Sequence, residues 1–138
     1  MNHYHQIMII DDDTVDRMTL KKEIQRAELS DKIIEVDSGM RALDLLTAAN
    51  MEHHQFPELI FLDRNMPAMD GFQFLDVFVQ LSRKYASRCK VIMLCSIESE
   101  EDKKKAGQYS CVAGYFIKPM EAETLLVLVE NMRHSNVS

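Results

Sequence analysis

The side chains that can do chemistry stand where apolar runs end. After "IMII" come three carboxylates, Asp11, Asp12 and Asp13. After "LIFL" come Asp63, Arg64 and Asn65, after "VIML" come Cys95 and Ser96, and after "GYFI" come Lys118 and Pro119. Carboxylates packed side by side repel each other and disfavour ionisation. Asp residues gathered at one edge therefore call for a counter-ion. A ligand set made only of oxygens suits a hard cation, Mg2+ above all. The Lys118 ammonium supplies a further positive charge.

These residues meet only if the segments before them lie side by side. The runs 7–10, 59–62, 91–94 and 115–117 carry no polar interruption and read as strands buried on both faces, as in a parallel sheet. "IIEV" at 33–36 is half polar and reads as an edge strand. Helical patterns lie between them. Residues 14–28 carry Leu20, Ile24 and Ala27, and residues 39–50 carry Ala42, Leu45, Leu46 and Ala49 behind Ser38 as N-cap. Residues 71–84 carry Phe74, Phe78 and Leu81, and residues 121–133 carry Leu125, Leu128, Val129 and Met132. Residues 98–106 are polar, with Ser99 as N-cap, Glu100→Lys104 and Glu101→Lys105 pairs, and Gly107 as a stop. Five strand–helix alternations predict an α/β fold, a doubly wound five-stranded parallel sheet with five helices and right-handed crossovers. Such sheets bind ligands outside the carboxyl ends of their strands, where these residues would converge.

Composition narrows the rest. A chain of 138 residues suffices for one domain with a real core, expected here over 1–138 with no output domain. A net charge of −6 argues against a nucleic-acid-binding face, which must be basic. The N-terminus "MNHYHQIMII" lacks a basic n-region, and no apolar stretch reaches a membrane span. Three cysteines, odd in number and without a CxxC pair, add to the expectation of a cytoplasmic protein. His53-His54 and the cluster Arg83, Lys84, Arg88 and Lys90 read as solvated.

Over residues 6–133 the chain resembles the receiver domains of two-component response regulators. The resemblance rests on the acidic pair Asp11-Asp12, on Asp63 within "LIFLDRNMPAMDGF", on Lys118-Pro119, and on Tyr115 in "GYFIKP". It implies the flavodoxin-like strand order 2-1-3-4-5 and a phosphoacceptor at Asp63. It implies Mg2+ held by Asp12, Asp63 and the backbone carbonyl of Asn65, with Asp11 acting through water. Lys118, with Cys95 or Ser96, would bind phosphoryl oxygens, and Cys95 and Tyr115 would form the switch. Gly71 would be structural, and the peptide before Pro119 would be cis. The implied phosphodonor is a histidine kinase or a histidine phosphotransfer protein. An unidentified downstream protein would read the face of the fourth helix, fifth strand and fifth helix. The chain would be a monomer or weak dimer that catalyses only its own phosphorylation and dephosphorylation. Asp13 falls outside the site and begins the first helix, where the dipole favours an anion.

One residue departs from the pattern. The family has Thr or Ser where this chain has Cys95, and a thiol is a weak donor. That keeps open a degenerate receiver that binds partners without phosphorylation. A second alternative is a haloacid-dehalogenase-like phosphatase, whose DxDx(T/V) string "DDDTV" satisfies with Asp11 as nucleophile and Asp13 as acid/base. It lacks the acidic pair needed after Lys118 and leaves "DRNMPAMDG" unexplained.

Overall fold

The computed structural model describes residues 3–52, 56–81 and 88–135. Five parallel strands, β1 (Ile7–Ile10), β2 (Ile33–Val36), β3 (Leu59–Asp63), β4 (Lys90–Cys95) and β5 (Val112–Ile117), form one sheet in the order β2-β1-β3-β4-β5. The helices among the described residues are α1 (Thr14–Arg26), α2 (Gly39–Glu52), α3 (Gly71–Phe78), α4 (Glu100–Ala106) and α5 (Ala122–Ser135).

Side-chain alternation along the strands divides the core in two. Met8, Ile10, Ile60, Leu62, Val91 and Met93 pack with Leu46, Phe74, Phe78 and Ala106 on the α2–α3–α4 side. Ile7, Ile9, Leu59, Phe61, Ile92 and Leu94 pack with Leu20, Ile24, Leu125 and Val129 on the α1–α5 side. Both faces of the central strands are covered, which is why their sequences carry no polar alternation. Each fully buried Ile, Leu or Phe contributes about 1.5–3 kcal/mol. β2 lies at the edge, and its Glu35 takes Arg17 at 3.5 Å and Lys21 at 3.4 Å.

The helix starts are capped as their sequences require. The Asp13 carboxylate accepts from Asp16 N–H, Ser38 Oγ from Arg41 N–H at 3.1 Å, and Ser99 Oγ from Asp102 N–H. Asp70 and Gln73 form a reciprocal capping box at α3.

Four boundaries or faces differ from the sequence expectation. The helix expected over 71–84 ends at Phe78, where Gln80 N–H and Leu81 N–H turn back to the Val77 and Phe78 carbonyls. Its residues 82–84, like His53-His54, lie outside the described residues. β5 begins at Val112 instead of Tyr115, because pairing with β4 supplies the hydrogen bonds that Ala113 and Gly114 would not demand by side chain. Asp63 and Cys95 are the last residues of their strands rather than the first beyond them. Leu45 is 43% exposed, because the buried stripe of α2 runs through Ala42, Leu46 and Ala49. No helix among the described residues is long and apolar enough to cross a membrane.

Candidate functional site

Two strand ends bring the carboxylates together. β1 and β3 are neighbours in register, so Asp11 directly after β1 and Asp63 at the end of β3 share one edge. Both are only 5% exposed, whereas Asp12 is exposed. Ligand oxygens of Asp11, Asp12 and Asp63 all lie within 4.8 Å of one another. That spacing suits a single small cation, and the all-oxygen chemistry suits a hard one. Asn65 donates its N–H to Asp63 Oδ1 at 3.3 Å.

Lys118 enters from the end of β5 and reaches across. Its N–H bonds the Cys95 carbonyl at 2.8 Å, and the peptide joining it to Pro119 is cis. Its ammonium nitrogen lies 2.7 Å from Asp11 Oδ2, 2.9 Å from Asp16 Oδ2 and 3.2 Å from Asp63 Oδ1. Burial works against the charged lysine, but hydrogen bonds to Asp11 and Asp16 and the charges of Asp11 and Asp63 outweigh it, so its pKa is raised. Burial and the adjacent Asp11 charge push Asp63 up to about 6, against the opposing pull of Lys118 and the Asn65 N–H. The carboxylates are therefore under-neutralised by lysine alone.

Asp16 was not singled out by sequence. Its position in the first turn of α1 marks it as a dipole-stabilising residue. The signal that would have found it is spacing, because one turn of helix after Asp12 and Asp13 returns a side chain to the same rim. Asp13 itself spends its carboxylate on the cap of α1, accepting from Asp16 N–H at 2.9 Å. This is the structural role of a helix cap, in place of the acid/base role that Asp13 has in the phosphatase alternative.

The remaining site candidates are arranged differently. Cys95 is fully buried, and its thiol donates to the Phe116 carbonyl at 3.4 Å. Tyr115 packs against the core on the α2–α3–α4 side, with its hydroxyl oxygen buried near Cys95. Burial first, and then the nearby Cys95, raises the tyrosine pKa. Ser96 is exposed. Gly71 leaves no space for a Cβ beside the Asp63 carbonyl, and its N–H bonds the Arg64 carbonyl at 3.0 Å, closing the loop that follows Asp63.

Arg64, which the sequence places directly after Asp63, has partners that the sequence does not announce. Its guanidinium lies 3.0 Å from Asp102, 3.2 Å from Asp70 and 4.6 Å over the Phe72 ring. It ties α4 to the start of α3. α4 buries only Ala106, so polar tethers carry much of its attachment. Asp102→Ala is expected to cost about 0.5–1 kcal/mol, discounted for partial exposure, and to speed amide exchange across residues 100–106. Unchanged exchange there would show that the packing of Ala106 is enough to hold the helix.

The comparisons with known proteins agree with this arrangement. A family model described as the response regulator receiver domain matches residues 7–130. The nitrate/nitrite response regulator protein NarL of Escherichia coli is 31% identical over 120 residues, covering 87% of this chain and 50% of NarL. The probable methanogenesis regulatory protein FilR2 of Methanothrix harundinacea is 24% identical over 127 residues, covering 92% of this chain and 80% of that protein. This chain thus spans about half the length of NarL and most of FilR2. The crystal structure of a two component response regulator from Cytophaga hutchinsonii superposes with a TM-score of 0.87 at 26% identity, over 96% of this chain and 99% of that one. Sheet order, the acidic pair, the aspartate ending β3 and the lysine after β5 converge on one assignment, and the chain belongs to the response regulator receiver domain family.

Proposed function

We propose that Asp63 is the phosphoacceptor of a two-component or phosphorelay system. One observation carries the reading: Asp11, Asp12 and Asp63 gather within 4.8 Å while the Lys118 ammonium stands 3.2 Å from Asp63. A carboxylate oxygen of Asp63 attacks the phosphorus of a phosphohistidine. The new P–O bond forms as the P–N bond breaks, and its electron pair leaves with the imidazole. Asp63 is mostly ionised at neutral pH, since its pKa is raised only to about 6. Lys118 would hold a phosphoryl oxygen, because its ammonium already stands 3.2 Å from Asp63 Oδ1. A divalent cation, Mg2+ by ligand chemistry, supplies charge neutralisation when bound by Asp11, Asp12 and Asp63, with the Asn65 carbonyl as a further ligand. Positioning and charge do most of the work in such a transfer.

The test is intact mass after incubation with acetyl phosphate and Mg2+. Wild type is expected to gain one labile phosphoryl group, and Asp63→Asn none. Lys118→Ala is expected to gain it more slowly. An Asp63→Asn protein that still takes up the group would overturn the assignment.

The donor in this reading is a histidine kinase or a histidine phosphotransfer protein. The acceptor of the signal is a downstream protein docking on the α4–β5–α5 face, where Ile117 is 45% exposed and Val127 62%.

A second reading, a receiver that binds partners without switching, is favoured by one observation. The Cys95 thiol is committed to the Phe116 carbonyl, and the Tyr115 hydroxyl is already buried. A phosphoryl group at Asp63 would find no hydroxyl at position 95. A hydrogen bond to a charged group is worth about 1.5–3 kcal/mol, as large as the gap between the states of many switches. Cys95→Thr is therefore expected to enlarge the beryllofluoride-dependent amide shifts of Tyr115 and residues 98–107. Equal shifts in both proteins would show that the thiol is no handicap.

A further inference from the structure

The family pattern accounts for Asp11, Asp12, Asp63 and Lys118, but not for Asp16. We propose that Asp16 is a positioning residue: it retains the Lys118 ammonium at the α1 rim of the site when a divalent cation takes Asp11 and Asp63. The inference deepens the reading of a Mg2+-dependent phosphoacceptor site and rests on it.

An ammonium has three N–H donors. In Lys118 they face three carboxylates, those of Asp11, Asp16 and Asp63. Two of these, Asp11 and Asp63, also belong to the cation-binding group. The lysine and the metal therefore draw on the same two carboxylates. A cation held by Asp11 and Asp63 would weaken both as acceptors for the lysine and would repel its charge. The Lys118 side chain is only 14% exposed, so an ammonium stripped of partners there would be costly.

Asp16 resolves that conflict. It is outside the cation group, and at 2.9 Å it is already in contact with the ammonium. Its backbone is anchored in the first turn of α1, where its N–H donates to the cap Asp13 at 2.9 Å. A small cavity of about 30 Å3 adjoins the ammonium, lined by Asp11 as well as by Asp16 and Thr19 of α1 and by Lys118 and Met120. At 42% exposure the Asp16 carboxylate is more readily hydrated than Asp11, so it also releases the lysine when phosphoryl oxygens offer a stronger partner. The metal and the lysine then occupy the site together instead of excluding each other.

The distinguishing experiment is a double-mutant cycle read by Mg2+ affinity, from amide NMR titration of the whole chain. Asp16→Asn keeps the shape of the side chain and is expected to weaken Mg2+ binding about three- to fivefold, in the range for partly exposed ion pairs. In a Lys118→Met background the same substitution is expected to have a markedly smaller effect, because no ammonium is left to displace. A second readout follows the lysine directly. The Lys118 ammonium 15N–1H signal is expected to persist in Mg2+-loaded wild type and in Asp16→Glu, and to be lost to fast exchange in Mg2+-loaded Asp16→Asn. If Asp16→Asn binds Mg2+ as tightly as wild type, or loses equally in both backgrounds, Asp16 acts by charge alone or not at all, and the proposal is overturned. Failure of wild type itself to bind Mg2+ would instead overturn the underlying reading of the metal site.

Discussion

Metal-free Asp63→Asn is expected to be more stable than wild type at pH 7, by on the order of 1–3 kcal/mol. The cause is the crowding that makes the site useful. Asp63 is 5% exposed, and burial with the Asp11 charge lifts its pKa from 3.8 to about 6. Between those two values the folded state holds a proton that the unfolded state has released. Stability contributed by this residue is therefore complete below about pH 4, falls as pH rises through about 6, and stays low above it. An amide at position 63 removes this pH dependence. It also forgoes some attraction to Lys118, which keeps Asp11 and Asp16, so the net gain is smaller than the full shift would give. The measurement is urea unfolding of both proteins, metal-free, from pH 4 to pH 8. The wild-type minus variant difference should decline with pH and then level. A difference that stays constant or rises would mean that Asp63 is not held under strain. Millimolar Mg2+ is expected to stabilise wild type by mass action and the variant far less.

Gly71→Ala is expected to cost about 1–3 kcal/mol and to slow phosphorylation as well. A Cβ on Gly71 would lie 2.8 Å from the Asp63 carbonyl oxygen, 3.1 Å from Met93 Cε and 3.2 Å from Arg64 Cα. The methionine tip can turn away, but the two backbone atoms cannot. Gly71 N–H is also held by the Arg64 carbonyl at 3.0 Å, so the clash pushes directly on the segment that presents Asp63. Displacing a reacting group by about 1 Å can cost about a hundredfold in rate. Gly107→Ala is the control. Its Cβ would meet only the Lys104 and Lys103 carbonyls at 3.5 and 3.6 Å, and the change is expected to stay within about 0.5 kcal/mol. If Gly71→Ala unfolds at the same urea concentration as wild type, the close approach is not a constraint.

The two-sided burial and the edge at which the chemistry gathers are legible in the apolar runs, whereas the strand order is implied only by the family resemblance. Uninterrupted runs such as "LIFL" can lie only where both faces are covered, and β3 is indeed buried along its whole length. Asp11, Asp63 and Lys118 were legible for the same reason, since each stands where such a run stops. Ser38 and Ser99 announce their caps because an orphan helix N–H needs a local acceptor, and Asp13, expected at the helix start for its charge, proves to be a cap as well. What the sequence could not decide depends on distant partners. The start of β5 was set by hydrogen bonds to β4, and the exposure of Leu45 by where α2 lies on the sheet. Arg64 and Asp16 looked like ordinary surface charges. Only folding brought Asp102, 38 residues from Arg64, and Lys118, 102 residues from Asp16, into contact with them. Local pattern reports which backbone groups and apolar faces must be satisfied. The pairing of charges across the chain is a matter of geometry, and only the packed sheet supplied it.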